Sequence, residues 1–206
     1  MIQIHHGFYD GSGGSVDSAA LAIAHADISK FVLDGCWERR APHSPASAVE
    51  EFAAILRQYG IKKVIGDRYA GEFPRDMFRS HGVAYEPSAK TRSELYLEFL
   101  GLLNSCRVEL PKHARLLAQL RGLERRVAKG GKEYVDHVAG SHDDLANAAC
   151  GAICLAAERA NRPGRQPIAE FVGFGRCGGG STASDTRGFP TDGPSRWWTD
   201  VEPTSI

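Results

Sequence analysis

The chain has 206 residues, 42% of them hydrophobic and 24% charged, with 25 basic and 25 acidic side chains in balance. That composition fits one globular domain with a sizeable core, and zero net charge by itself predicts no nucleic-acid partner. No apolar run reaches the roughly 18 residues of a membrane span, and five cysteines without framework spacing or a preceding signal peptide point to a reducing cytosol.

In chain order, Ile2 to Tyr9 reads as a strand that ends at Asp10 and runs into the turn Gly11-Ser12-Gly13-Gly14-Ser15. Ser18–His25 and Lys30–Trp37 follow as the second and third strands of a meander. A helix starts at Ser44-Pro45, with Ser44 as N-cap. Its stripe is Val49, Phe52, Ala53 and Leu56, and Tyr59-Gly60 stops it. Ile61–Ile65 is a short buried-type strand ending at Gly66-Asp67; a helix near Phe73–Ser80 leads to a brief strand, Val83–Tyr85.

The remainder turns helical. Thr91–Asn104 reads as a helix and Arg107–Leu110 as an extended piece. Lys112–Ala128 reads as an amphipathic helix, with Leu116, Leu120, Leu123 and Val127 on one stripe. Lys129-Gly130-Gly131-Lys132 is a turn before a strand at Tyr134–Val138, which suggests a hairpin over Lys129–Val138. Ser141 or Asp143 caps the last helix, Asp143 to about Arg159, whose small residues allow it to lie close against a sheet. Beyond that the composition changes to Gly, Pro, Ser, Thr and Arg. The expectation is a single α/β domain over 1–160, a mixed β-sheet flanked by helices, and a poorly ordered tail over 161–206.

In such an arrangement Asp10 ends the first strand, Asp67 ends the fourth, and Asp143 and Asp144 open the last helix. Each aspartate alone has an ordinary reading, as a turn former or a helix cap. Together at one sheet edge they repel one another severely unless a cation neutralises them. All-oxygen ligation suits Mg²⁺ or Mn²⁺, and two such ions roughly 3.5–4 Å apart activate a water and stabilise the leaving oxygen in phosphodiester hydrolysis.

Four stretches carry a resemblance: Asp10-Gly-Ser-Gly-Gly-Ser-Val-Asp17, Val64-Ile-Gly-Asp67-Arg-Tyr, Tyr85-Glu-Pro-Ser-Ala-Lys90 and His142-Asp-Asp-Leu-Ala-Asn-Ala148. In this order they resemble the nuclease domain of a tailed-bacteriophage terminase large subunit, over about residues 4–160. The resemblance implies a ribonuclease H-like fold and two-metal cleavage of concatemeric viral DNA during genome packaging, in the host cell cytoplasm. Carried over by position, Asp10, Asp67 and Asp143 are catalytic, metal-binding acids, and Asp144 is a fourth metal ligand. Asp17 matches a later acid of the pattern. His142 fits a residue that orients a carboxylate or a water better than it fits a ligand. Lys90 and Ser93 match a polar stretch near the substrate face, and the hairpin resembles one beside the cleft. Implied partners are double-stranded DNA, a packaging ATPase domain, a portal and a small terminase subunit, with no membrane. The chain has no G-x-x-x-x-G-K-[ST] run, so it is not expected to act as the motor, and Gly11 stands where a Pro is common in the family.

If the site is a nuclease, phosphates must be steered past its acids, and Arg115, Arg121, Arg125, Arg126, Lys129 and Lys132 are the candidates, although a charge run is usually a solvated face. Alternatives are a Holliday-junction-resolvase-like nuclease, or a non-catalytic DNA-binding or docking module of the packaging machine. Other patterns carry less. Cys150 and Cys154 read as small core residues, and Gly173-Phe-Gly-Arg-Cys-Gly178 lacks the strand and helix that a dinucleotide fingerprint needs. His5-His6 is too short to read as a metal site.

Overall fold

Three consecutive strands, β1 (His5–Asp10), β2 (Ala19–Ala26) and β3 (Phe31–Arg39), form an antiparallel meander. The structure is a computed structural model that describes residues 3–67, 73–128, 130–131, 133–138 and 140–161. The predicted tail beyond Asn161, together with Lys129 and Lys132, lies outside the described residues. Strand β4 (Lys63–Gly66) pairs in parallel with the free side of β1, and β5 (Ala84–Pro87) pairs in parallel with β4. At the far edge β6 (Val108–Glu109) joins β3 in parallel, giving the order β5-β4-β1-β2-β3-β6.

Helices cover both faces. On one, α1 (Pro45–Gln58) and α2 (Phe73–Ser80) bury Val49, Phe52, Leu56 and Phe78 against Tyr9, Leu21 and Ile23. On the other, α3 (Arg92–Asn104), α4 (Ala114–Arg121) and α5 (Asp144–Ala160) pack on Phe8, Ala20, Ala22 and Ala24. Neighbours along β1 and β2 therefore face opposite cores, as the two-residue period of a strand requires, and β2 is buried along nearly its whole length. Glycine sets how closely α5 approaches: a Cβ at Gly151 would sit 2.3 Å from Cγ of the buried Phe8 ring. Among the described residues no helix is long and apolar enough to cross a membrane.

The predicted helix over Lys112–Ala128 is corrected. Helix α4 ends at Arg121 with Gly122 as its C-cap, and Leu123–Val127 is a strand, β7, paired antiparallel with β8 (Glu133–His137). The hairpin thus runs from Leu123 to His137. Glycine is costly inside a helix, so Gly122 separates the elements. Gly130 and Gly131, at φ +120° and +80°, supply the left-handed turn that the hairpin needs. Leu123 keeps its place against the same core as Leu116 and Leu120, but from a strand.

Candidate active site

The parallel pairing of β4 with β1 brings their carboxyl ends to one edge, where open α/β sheets place their ligand sites. Asp10 is the last residue of β1, and Asp67 follows β4, its amide donating to the Tyr9 carbonyl at 3.1 Å. The N-terminus of α5 reaches the same edge. A cleft of about 440 Å³ opens there, lined by Asp10, the Gly11–Gly13 turn, Asp17, Arg92, His137, His142, Asp143 and Asp144.

Asp143 occupies the N-cap position of α5, yet its side chain makes no cap hydrogen bond. Gln119 of α4 caps the helix instead, its Oε1 accepting the Ala146 amide at 3.0 Å. The Asp143 carboxylate, 4% exposed, accepts the Tyr96 hydroxyl at 2.6 Å and the Arg92 guanidinium at 3.2 Å. His137 Nδ1 also lies 3.2 Å from it. Capping alone therefore does not account for this aspartate.

Asp144 behaves differently. Its Oδ2 is buried without a hydrogen bond, and burial, followed by the charge of Asp143, pushes its carboxyl up to about 6. Burial also drives Asp10 well above the usual carboxylate range; Asp144, Asp67 and Asp143, in decreasing order, push it further. The Asn147 side chain opposes that rise, and neither polar atom of its buried amide makes a regular hydrogen bond. Four acids thus act on one another electrostatically, three of them lining the cleft, with Asp67 beside Asp10. The tight group of metal-type donors here is Asp136, His137 and Asp143, within 4.8 Å of one another; Asp10, Asp67 and Asp144 belong to no such group among the described residues.

Asp17 and His142 stand at the exposed mouth, His142 Nδ1 3.7 Å from Asp17 Oδ1. The basic candidates are dispersed. Arg115 binds Glu38, which is 8% exposed, at 2.7 Å. Lys90 pairs with Glu98. Arg125 pairs with Glu133 and Arg126 with Glu124, both on the hairpin, and Arg121 is exposed at the end of α4. None of these five lines the cleft.

Sequence reasoning missed Arg92, Tyr96, Asp136, His137, Asn147 and Gln119. Arg92 bridges Asp143 and Asp136, tying the hairpin to the cleft, and Ser93 Oγ accepts the Val135 amide at 2.9 Å beside it. A signal for two of them existed. Thr91 and Glu94 form a capping box that fixes the start of α3. Arg92 and Tyr96 then lie one turn apart on one face.

No protein-family model matches the sequence, and no curated protein matches it. Solved structures do. The large terminase nuclease from thermophilic phage G20c aligns at TM-score 0.62 and 21% identity, over 74% of this chain and 82% of that one. It has been solved with bound magnesium and with bound cobalt. The HK97 bacteriophage large terminase aligns at TM-score 0.62 and 16% identity, over 76% of this chain and 40% of its own length. A nuclease domain of the large terminase subunit of bacterial virus Sf6, solved with manganese, aligns at 0.58 and 14% identity, over 72% and 87%. The mixed six-stranded sheet with helices on both faces is the fold of the large terminase nuclease domains.

Proposed function

We propose that the chain is a divalent-metal-dependent endonuclease that cuts double-stranded DNA, of the kind that trims viral concatemers during packaging. The observation that carries this reading is the unbalanced charge at the sheet edge. Asp10 and Asp144 are crowded by other carboxylates, and Asp144 keeps a buried oxygen with no partner. Arg92 is the one Lys or Arg among the described lining residues, and Asp143 and Asp136 already engage it.

Hard cations with oxygen ligands fit that donor set. Asp10, Asp67 and Asp144 would hold Mg²⁺ or Mn²⁺, with Asp143 beside them. When bound, two such ions supply an activated water and stabilise charge on the leaving oxygen. The chain's own groups do the positioning. Tyr96 and Arg92 fix Asp143 and, through it, the first turn of α5. Arg92, 38% exposed, presents a planar cation at the cleft wall, suited to a phosphate. On this reading the packaging ATPase domain, the portal and the small terminase subunit are the partners, and the host cytoplasm is the setting.

Supercoiled plasmid incubated with EDTA, Mg²⁺ or Mn²⁺, beside Asp67→Ala, tests the reading. Cleavage that needs the ion and is lost in the variant is expected. Wild-type protein that binds DNA and cuts with neither ion would replace it with a docking module. Preference for four-way junctions over linear duplex would make the enzyme a resolvase.

A further inference from the structure

His5 and Asp10 lie at opposite ends of β1, about 17 Å apart at roughly 3.3 Å per residue. His5 pairs directly across the ladder with His25 of β2, so the two imidazoles share a face of the sheet. Their ring centroids are 5.5 Å apart. The β2–β3 ladder slips beside them: Ile23 pairs with Gly35 and Ala24 with Leu33, which leaves Asp34 as the extra residue of a bulge. Bulges re-aim side chains, and here the Asp34 carboxylate meets His25 Nδ1 at 2.8 and 2.9 Å. His5 Nε2 stands 3.8 Å from Asp34 Oδ2.

One donor atom from each of three strands therefore falls within 4.8 Å of the others. Gln3 Nε2, 3.3 Å from His25 Nε2, donates to the far nitrogen of that ring, which leaves the Nδ1 proton facing Asp34. The Tyr59 ring packs edge-on against His5 at 5.2 Å. With His5 19% and Asp34 16% exposed, the cluster is reachable from solvent.

A His25–Asp34 hydrogen bond accounts for two of these groups, but not for a second imidazole beside the same carboxylate. We propose that His5, His25 and Asp34 bind one transition-metal ion of the zinc class, which staples β1, β2 and β3. Two nitrogens and a carboxylate suit Zn²⁺, Co²⁺ or Ni²⁺ and disfavour Mg²⁺, which takes oxygen ligands. The ion takes the place of the proton between His25 Nδ1 and Asp34, that proton moves to His25 Nε2 as the Gln3 amide turns its oxygen toward the ring, and a fourth position is left for water. Because the three ligands come together only in the folded sheet, the ion stabilises the fold by mass action. The site is independent of the nuclease reading.

The test titrates the full chain with Zn²⁺ and with Co²⁺ in excess Mg²⁺, following stoichiometry, the visible spectrum of histidine-bound cobalt and the Tm. Comparison is with His5→Gln, at a partly exposed position, and with His137→Gln, which alters the cleft. Wild type and His137→Gln are expected to bind one ion with a raised Tm at this site. His5→Gln should bind it more weakly by more than the roughly 10–100-fold cost of losing an outer partner. Asp34→Asn repeats the comparison should His5→Gln fold poorly. The same zinc stoichiometry, affinity and Tm response in the His5 and Asp34 variants as in wild type would overturn the site.

Discussion

At its first residue β1 sets His5 beside His25 and Asp34; at its last it sets Asp10 among Asp67, Asp143 and Asp144. At the first end two imidazoles share one carboxylate, and His25 meets Asp34 in a hydrogen bond. The second carries four acids against a single arginine among its described lining residues. Both ends are built by the same ladder, so backbone geometry does not distinguish them. What differs is the donor set, nitrogen with oxygen at the first end and mostly carboxylate oxygen at the second. At the second end Asp144 Oδ2 is buried without a hydrogen bond, and on the proposed reading a hard cation supplies its partner.

The largest expected effect comes from removing that imbalance. Asp144→Asn should lower metal-dependent cleavage by roughly 100–1,000-fold, while the metal-free protein melts at a higher temperature than wild type. An activity loss accompanied by a lower melting temperature in EDTA would show that Asp144 serves the fold and not the site. At the histidine end the pattern should reverse. Asp34→Ala strands the buried His25 and should cost about 1–3 kcal/mol in denaturant unfolding, with plasmid cleavage per folded molecule unchanged.

Acidity offers a finer probe. Asp144 holds its proton up to about 6 in the folded chain, against 3.8 for the ordinary carboxyl. The folded state therefore binds the extra proton between these values, so metal-free stability should rise as pH falls from about 7 to 4. Saturating Mn²⁺ should flatten that slope, and an unchanged slope would disconnect the ion from these acids. The smallest effect concerns DNA. Arg121→Ala, at an exposed position, should reduce the salt dependence of binding by about one phosphate contact. Arg115→Ala, whose guanidinium is committed to Glu38, should lower the melting temperature instead.

The sheet edge was legible because strand ends announce themselves locally. Asp10 precedes a glycine turn, Asp67 follows a short apolar run, and His142-Asp143-Asp144 opens a small-residue helix. The contacts that give these acids their separate characters were not legible. Tyr96 and Arg92 lie 47 and 51 residues from Asp143, and Arg115 lies 77 from Glu38. Strand β7 was hidden for a different reason. Leu116, Leu120, Leu123 and Val127 fit a helical stripe, and only Gly122 marks the break. The histidine cluster depends on a bulge, which strand periodicity cannot place.

Gln119 gives α4 an influence out of proportion to its eight residues. By taking over the amide at the start of α5, it releases Asp143 from an anchoring duty that its position would otherwise impose. Asp143 is thus set by a residue that does not line the cleft. Substitutions in this short helix become a way to retune the acidic edge while every acid stays in place.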